Sequence, residues 1–183
     1  MTHPPLYQPE ISSTLHHTNS QPKPHHYATM HIKPDDLSSP AIRTLLSLHF
    51  SDLQSKSKNP SSYCHVLDLT ALHHDSITVY SAWDGDTLLG CGALKQLSPS
   101  AGEIKSMRTA TAYLRKGVGR AIVQHIIAEA KRRGYVSLSL ETGTDASFER
   151  AREFYRGLGF RDCGPFGGYV ASEENCFMRL MLG

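Results

Sequence analysis

The stretch Glu103–Arg120, EIKSMRTATAYLRKGVGR, constrains this chain more than any other. It reads as a strand over Glu103–Thr109, a short loop, a Gly-x-Gly and then an amphipathic helix over Gly117–Arg133. In that helix Val118, Ile122, Ile126 and Ala130 form one apolar row, widened by Val123 and Ile127. The first turn of a helix leaves its N–H groups unpaired, and its dipole places partial positive charge there. A phosphate suits such an end. Gly117 and Gly119 carry no Cβ, so backbone and pyrophosphate can approach closely, and Arg115, Lys116 and Arg120 add positive charge around them. Two other phosphate motifs are excluded. The dinucleotide fingerprint needs a third glycine where Ile122 stands, and no Gly-Lys-Ser/Thr of a P-loop occurs.

Around this segment the pattern alternates strands and helices. Tyr27–Ile32 reads as a first strand, stopped by Lys33-Pro34-Asp35-Asp36. Ser38 or Ser39 can cap a helix with Pro40 in its first turn, and Ile42, Leu45, Leu46, Phe50 and Leu53 recur near helical spacing. Ser55–Ser62 is a polar loop, and residues 63–72 read as a turn or short helix. Ile77–Trp83 and Thr87–Leu94 form a hairpin around Asp84-Gly85-Asp86, because Asp-Gly between apolar runs supplies the positive φ of a tight turn. Lys131–Arg133 suit a helix C-terminus, and Gly134 suits its cap. Tyr135–Leu140 is the next strand and Ala146–Leu158 the next helix. Two last strands flank Gly164–Tyr169, the second over Cys176–Leu182. The expected fold is α/β: a mixed, mostly antiparallel sheet with helices on both faces.

Residues 1–26 are rich in Pro, Ser and His and read as a flexible tail before one domain over 27–183. Its His16-His17 and His25-His26 pairs lack a zinc-site spacing, so no metal is expected. The formal net charge of +2 argues against nucleic acid or an anionic membrane as partner. Cys64, Cys91, Cys163 and Cys176 form no C-x-x-C pair, and a chain of 183 residues needs no disulfide staple, so a reducing, cytoplasmic or nucleocytoplasmic location is expected. Cys91 and Cys163 read as small buried residues rather than nucleophiles. No apolar run approaches a membrane span or a signal peptide, and no G-x-S-x-G elbow supports a hydrolase.

Two runs resemble one family. Leu114–Gly119 is similar to the central Gln/Arg-x-x-Gly-x-Gly/Ala motif of the GNAT superfamily of acyl-CoA N-acyltransferases, with Leu114 at the first position. Ala151–Phe160, AREFYRGLGF, resembles the family's second motif, Ala-x-x-x-Tyr-x-x-x-Gly-Phe, with Phe148 where an Asn is common. GCGALK, EIKSMRT and GPFGGY resemble a bacterial-type branch of undefined substrate.

The resemblance implies a central parallel strand pair that splays apart and holds acetyl-CoA as cosubstrate. The cofactor residues it implies are Met107, Arg108, Thr109, Leu114, Arg115, Lys116, Gly117, Val118, Gly119 and Arg120. The amide near Met107 would polarise the thioester carbonyl, and Tyr155 would protonate the leaving thiolate. Glu103 is the candidate general base, with Glu141 as rival carboxylate and His65, His73 and His74 as weaker ones. By period-two alternation, Glu103 and Met107 share a strand face and Arg108 takes the other, toward acceptor or solvent. The acceptor amine is expected near Glu103, Arg108 and the Gly164–Tyr169 loop. The implied activity is acetyl transfer to a primary amine in a ternary complex, with a small-molecule acceptor favoured. A peptide or lysine amine, a CoA-binding regulator without turnover and a homodimer stay open; the regulator is separable by an assay of thiol release.

Overall fold

The computed structural model describes residues 30–56 and 69–183. The expected tail, most of the expected polar loop, Cys64 and His65 lie outside the described residues. The chain forms β1 (His31–Asp35), α1 (Pro40–Lys56), β2 (Ile77–Asp84), β3 (Thr87–Ser98), β4 (Ala101–Thr109), α2 (Val118–Arg132), β5 (Ser137–Gly143), α3 (Glu149–Arg156), β6 (Arg161–Cys163) and β7 (Asn175–Met181). Single 3-10 turns cover Ala71–His73, Thr111–Tyr113 and Ala146–Phe148.

The strands make one seven-stranded sheet in the order β1-β2-β3-β4-β5-β7-β6. Each neighbouring pair is antiparallel except β4 and β5. The α2 face buries Ile122, Ile126 and Ala130 of the helix with Leu94, Ile104, Leu138 and Leu140 of the sheet, and Tyr155 and Phe160 close that core from α3 and its end. The opposite face packs Ile42, Leu45 and Leu46 of α1 on Val79, Cys91 and Ala93. Helices therefore cover both faces, as the pattern requires.

Local chemistry sets the boundaries. Ser39 Oγ accepts from the Ala41 N–H at 3.2 Å and starts α1 one residue before Pro40. Asp84 pairs directly with Thr87, so Gly85 (φ 55°) and Asp86 are the hairpin turn. Gly134 (φ 77°) ends α2 as expected, with the Tyr135 N–H bonded back to the Ala130 carbonyl at 2.9 Å. The first strand differs from the expectation: β1 continues through Pro34, which pairs with Tyr80. It can do so because β1 is an edge strand, where the missing proline N–H costs no ladder bond. The last helix also differs, since Ala146–Phe148 is a 3-10 turn capped by Asp145 and only Glu149–Arg156 is α-helical.

Candidate active site

The parallel pairing of β4 with β5 covers only Ala101–Glu103 against Ser137–Ser139. Beyond Glu103 the strands part, and a cavity of about 200 Å³ occupies the opening. Its walls come from β4 (Glu103 to Met107), β5 (Leu140 to Gly143), the end of α1, α3 with the turn before it, and Tyr169.

Strand β4 carries a bulge in this wall. Cys91 pairs with Arg108 and Ala93 with Lys105, so Ser106 and Met107 together oppose Gly92. Ser106 has φ 51°, the left-handed region that a serine rarely adopts. The extra residue reverses the alternation. Ile104 and Met107 both pack toward the α2 core, while Arg108 bonds Asp52 of α1 on the opposite face. The expectation that Glu103 and Met107 share a face is thereby corrected. Glu103 and Lys105 lie on the α1 side with Arg108, and Met107 lies on the α2 side. Gly92 makes the bulge possible, because a Cβ there would meet Met107 Sδ at 2.3 Å.

The cavity thus passes through the sheet and has two unlike ends. On the α1 side stand Glu103, Lys105, Glu141, Tyr169 and His49. Glu103 is 1 % exposed. Its Oε1 accepts from Lys105 Nζ at 2.8 Å and from the Tyr169 hydroxyl at 2.5 Å. Burial and the neighbouring Glu103 charge push the Glu141 carboxyl above its ordinary range, with Lys105 offsetting part of the rise. Arg108 is not in the wall of the cavity: its Nη2 holds Asp52 Oδ2 at 2.6 Å and so fixes the α1 end against β4. It lies on the face opposite Met107, as expected, and is partly exposed beside Asp52.

On the other side Tyr155, Ala151 and Phe148 meet Met107 and Leu140. Burial alone pushes the Tyr155 phenol well above its ordinary 10.0. Phe148 fits beneath Gly143, where a Cβ would meet its ring at 2.5 Å. Arg152, which carried no signal in the sequence, anchors α3 to the end of β5 by donating to the Gly143 carbonyl at 2.6 Å and by pairing with Glu149.

The start of α2, where the sequence places a phosphate, lies beyond this end. Thr109 closes β4 next to Gly119, whose Cβ position is 3.5 Å from Thr109 Oγ1. Gly117 is the cap of α2 with φ 87°, and the first intrahelical bond runs from the Ala121 N–H to the Gly117 carbonyl. The N–H groups of Val118, Gly119 and Arg120 precede that ladder and have no side-chain cap. Leu114, Arg115, Lys116 and Arg120 are exposed around them. Gly117 is required by its own φ. Gly119 is not required by any contact among the described residues, since a Cβ there would meet none of them nearer than 3.5 Å. An open helix end, a glycine the fold does not need and three exposed cations fit a pyrophosphate.

His73 and His74 sit on the far side of β3 near Lys95, away from this cavity, and His74 Nδ1 bonds Ser76 at 2.9 Å. Among the described residues, the histidine that lines the cavity is His49 of α1, which the sequence did not single out. Cys91 is fully buried, and burial raises its thiol to about 12, which suits packing rather than reactivity. No group of three or more His, Cys, Asp or Glu able to hold a metal occurs among the described residues.

The family model "Acetyltransferase (GNAT) family" matches residues 40–160, which include the bulge, the start of α2 and the Tyr155 helix. The chain belongs to the GNAT acetyltransferase family. It is similar to the uncharacterized N-acetyltransferase YsnE of Bacillus subtilis, with 49% identity over 84% of this chain and 100% of that protein. It is likewise similar to the uncharacterized N-acetyltransferase YedL of Escherichia coli strain K12, with 44% identity over 82% of this chain and 94% of that one. Among solved structures, a GNAT acetyltransferase of Elizabethkingia anophelis with acetyl-CoA bound shares the fold, with a TM-score of 0.60 and 19% identity. That match covers 84% of this chain and 98% of the other. As a GNAT protein, the chain is an acyltransferase whose sheet has the parallel, splayed β4–β5 pair that the two motifs imply. No helix among the described residues is long and apolar enough to cross a membrane.

Proposed function

We propose that this protein transfers an acetyl group from acetyl-CoA to a primary amine, with a small molecule as the favoured acceptor, in a ternary complex. The observation that carries the reading is a cavity that runs through the splayed sheet from a carboxylate-lined side to the Tyr155 side. An amine and a thioester can meet there from opposite faces.

Acetyl-CoA supplies an activated acyl thioester when bound. The N–H groups at the start of α2 and the side chains of Arg115, Lys116 and Arg120 hold its pyrophosphate, with Leu114, Gly117, Val118 and Gly119 forming the floor. The edge of β4 at Met107–Thr109, left without a strand partner by the splay, offers hydrogen bonds to the pantetheine arm. An amide near the Ser106–Met107 bulge polarises the acyl carbonyl. Arg108 acts from the far face of β4, holding the bulge to α1 through Asp52.

Tyr155 keeps its proton at neutral pH, because burial raises its phenol, and gives it to the departing sulfur. Glu103 takes the ammonium proton. Its Oε1 is occupied by Lys105 and Tyr169, while Oε2 has no partner among the described residues. Glu103 itself stands in the cavity wall. A second reading gives the base role to Glu141, which lines the same side and whose carboxyl is raised toward a value better matched to an amine.

The test is amine-dependent release of CoA thiol from acetyl-CoA across a panel of small amines, amino acids and peptides. Turnover with small primary amines supports the proposal. CoA binding by calorimetry without turnover on any acceptor would replace it with a CoA-binding regulator.

A further inference from the structure

Glu103, Lys105 and Tyr169 close a triangle that neither acyl-CoA motif contains. Tyr169 arrives from 66 residues further along the chain and donates to Glu103 Oε1. Lys105 Nζ donates to the same oxygen at 2.8 Å and to the Tyr169 hydroxyl at 2.6 Å. The ring of Tyr169 lies against Phe166 and Phe177, at centroid distances of 5.2 and 5.7 Å. Just before it, Gly167 and Gly168 are exposed and hold φ 56° and 89°. The two glycines form a turn closed by the Tyr169 N–H on the Phe166 carbonyl at 2.9 Å, and the tyrosine that follows is tied to Glu103.

We propose that Tyr169 is a positioning residue that couples this loop to the chemistry: with the loop closed, its hydroxyl fixes Glu103 Oε1 and leaves Oε2 aimed at the acceptor amine. The inference rests on the reading of Glu103 as the base. A carboxylate accepts a proton efficiently only when one oxygen is held in line with the donor. Lys105 and the Tyr169 hydroxyl converge on the same oxygen, and Tyr169 also accepts from Lys105, so the tyrosine fixes both the carboxylate and its ammonium partner. The groups that face Glu103 are Lys105 on its own strand, Glu141 from β5 and Tyr169 from the loop, with His49 of α1 across the cavity. Tyr169 is the member of this set that bonds Glu103 from outside the sheet. When the loop lifts, Glu103 keeps only Lys105 and loses its single orientation. Acceptor binding under the loop and assembly of the base become one event.

Tyr169→Phe keeps the ring and removes only the hydroxyl. A charge-assisted hydrogen bond of this kind corresponds to roughly a 10- to 100-fold effect. Two measurements on the full chain test the idea. Hydrogen exchange of the loop amides over residues 164–170 should speed up by that factor in Tyr169→Phe and by less in Glu103→Gln, whose amide oxygen still accepts from the tyrosine, with β5 and β7 unchanged. Turnover of the amine should fall by a similar factor in Tyr169→Phe with the KM for acetyl-CoA unchanged. The double variant should be no slower than Glu103→Gln alone, because the tyrosine acts through the glutamate. Multiplying effects in the double variant, or wild-type loop exchange in both single variants, overturn the coupling. If the wild-type chain acetylates no amine, the reading under Proposed function fails, and the exchange data still decide whether the latch exists.

Discussion

Replacing Gly119 by alanine separates what the fold needs from what the ligand needs. A Cβ at this position would lie 3.5 Å from Thr109 Oγ1 and 3.9 Å from Phe154 Cζ, which are ordinary contacts. The residue is the second of α2 and has no positive φ. Alanine is the better helix former by up to about 1 kcal/mol, less in a first turn. The unliganded variant should then melt no lower than wild type, and at most about 2–4 °C higher for a domain of this size. Its methyl would nevertheless occupy the approach to three unpaired N–H groups at the mouth of the cradle. Losing close contact with even one phosphate oxygen corresponds to a drop of about tenfold or more in affinity, roughly 1.4 kcal/mol. Calorimetric titration with CoA, alongside thermal melts with and without saturating CoA, reads both quantities. Wild type should gain stability with ligand and Gly119→Ala should gain markedly less. Wild-type affinity in the variant, or a lowered melting temperature without ligand, would refute the argument that this glycine serves the cosubstrate rather than the helix.

Four further outcomes are expected. Tyr155→Phe should lower kcat while leaving CoA affinity nearly unchanged; because burial raises the phenol above 10.0, the basic limb of the wild-type profile below that pH should not belong to this residue. Glu103→Gln should lose turnover with partial recovery at high pH, where more of the amine is already neutral, whereas a wild-type profile there combined with loss in Glu141→Gln would move the base to β5. Gly92→Ala should destabilise the protein by about 1–3 kcal/mol through overpacking, since its Cβ would lie 2.3 Å from Met107 Sδ and 2.9 Å from Ile122 Cγ2; chemical denaturation measures this. Deleting residues 1–26 should leave turnover and melting temperature unchanged, as their polar, Pro-rich composition predicts.

Local chemistry was enough for much of this protein. Helix α2, its glycine boundaries, the Asp-Gly hairpin and the two acyl-CoA motifs are visible because each depends on residues within a turn or two of one another: a cap, a positive φ, an apolar row. They fix the fold class and the family. Pairings across the sheet were not visible. The alternation rule failed at Ser106, where one extra residue on β4 turned Arg108 toward Asp52 and put Glu103 opposite Met107. A serine in the left-handed region has no sequence signature, because its cost is met by neighbours such as Gly92 on the adjacent strand. The tyrosine that holds Glu103 also lies 66 residues from it, on the connection between β6 and β7, in a sheet where β7 lies between β5 and β6. Which side chains share the cavity was therefore decided by strand order and register, and those are set by burial over the whole sheet rather than by any local run of residues.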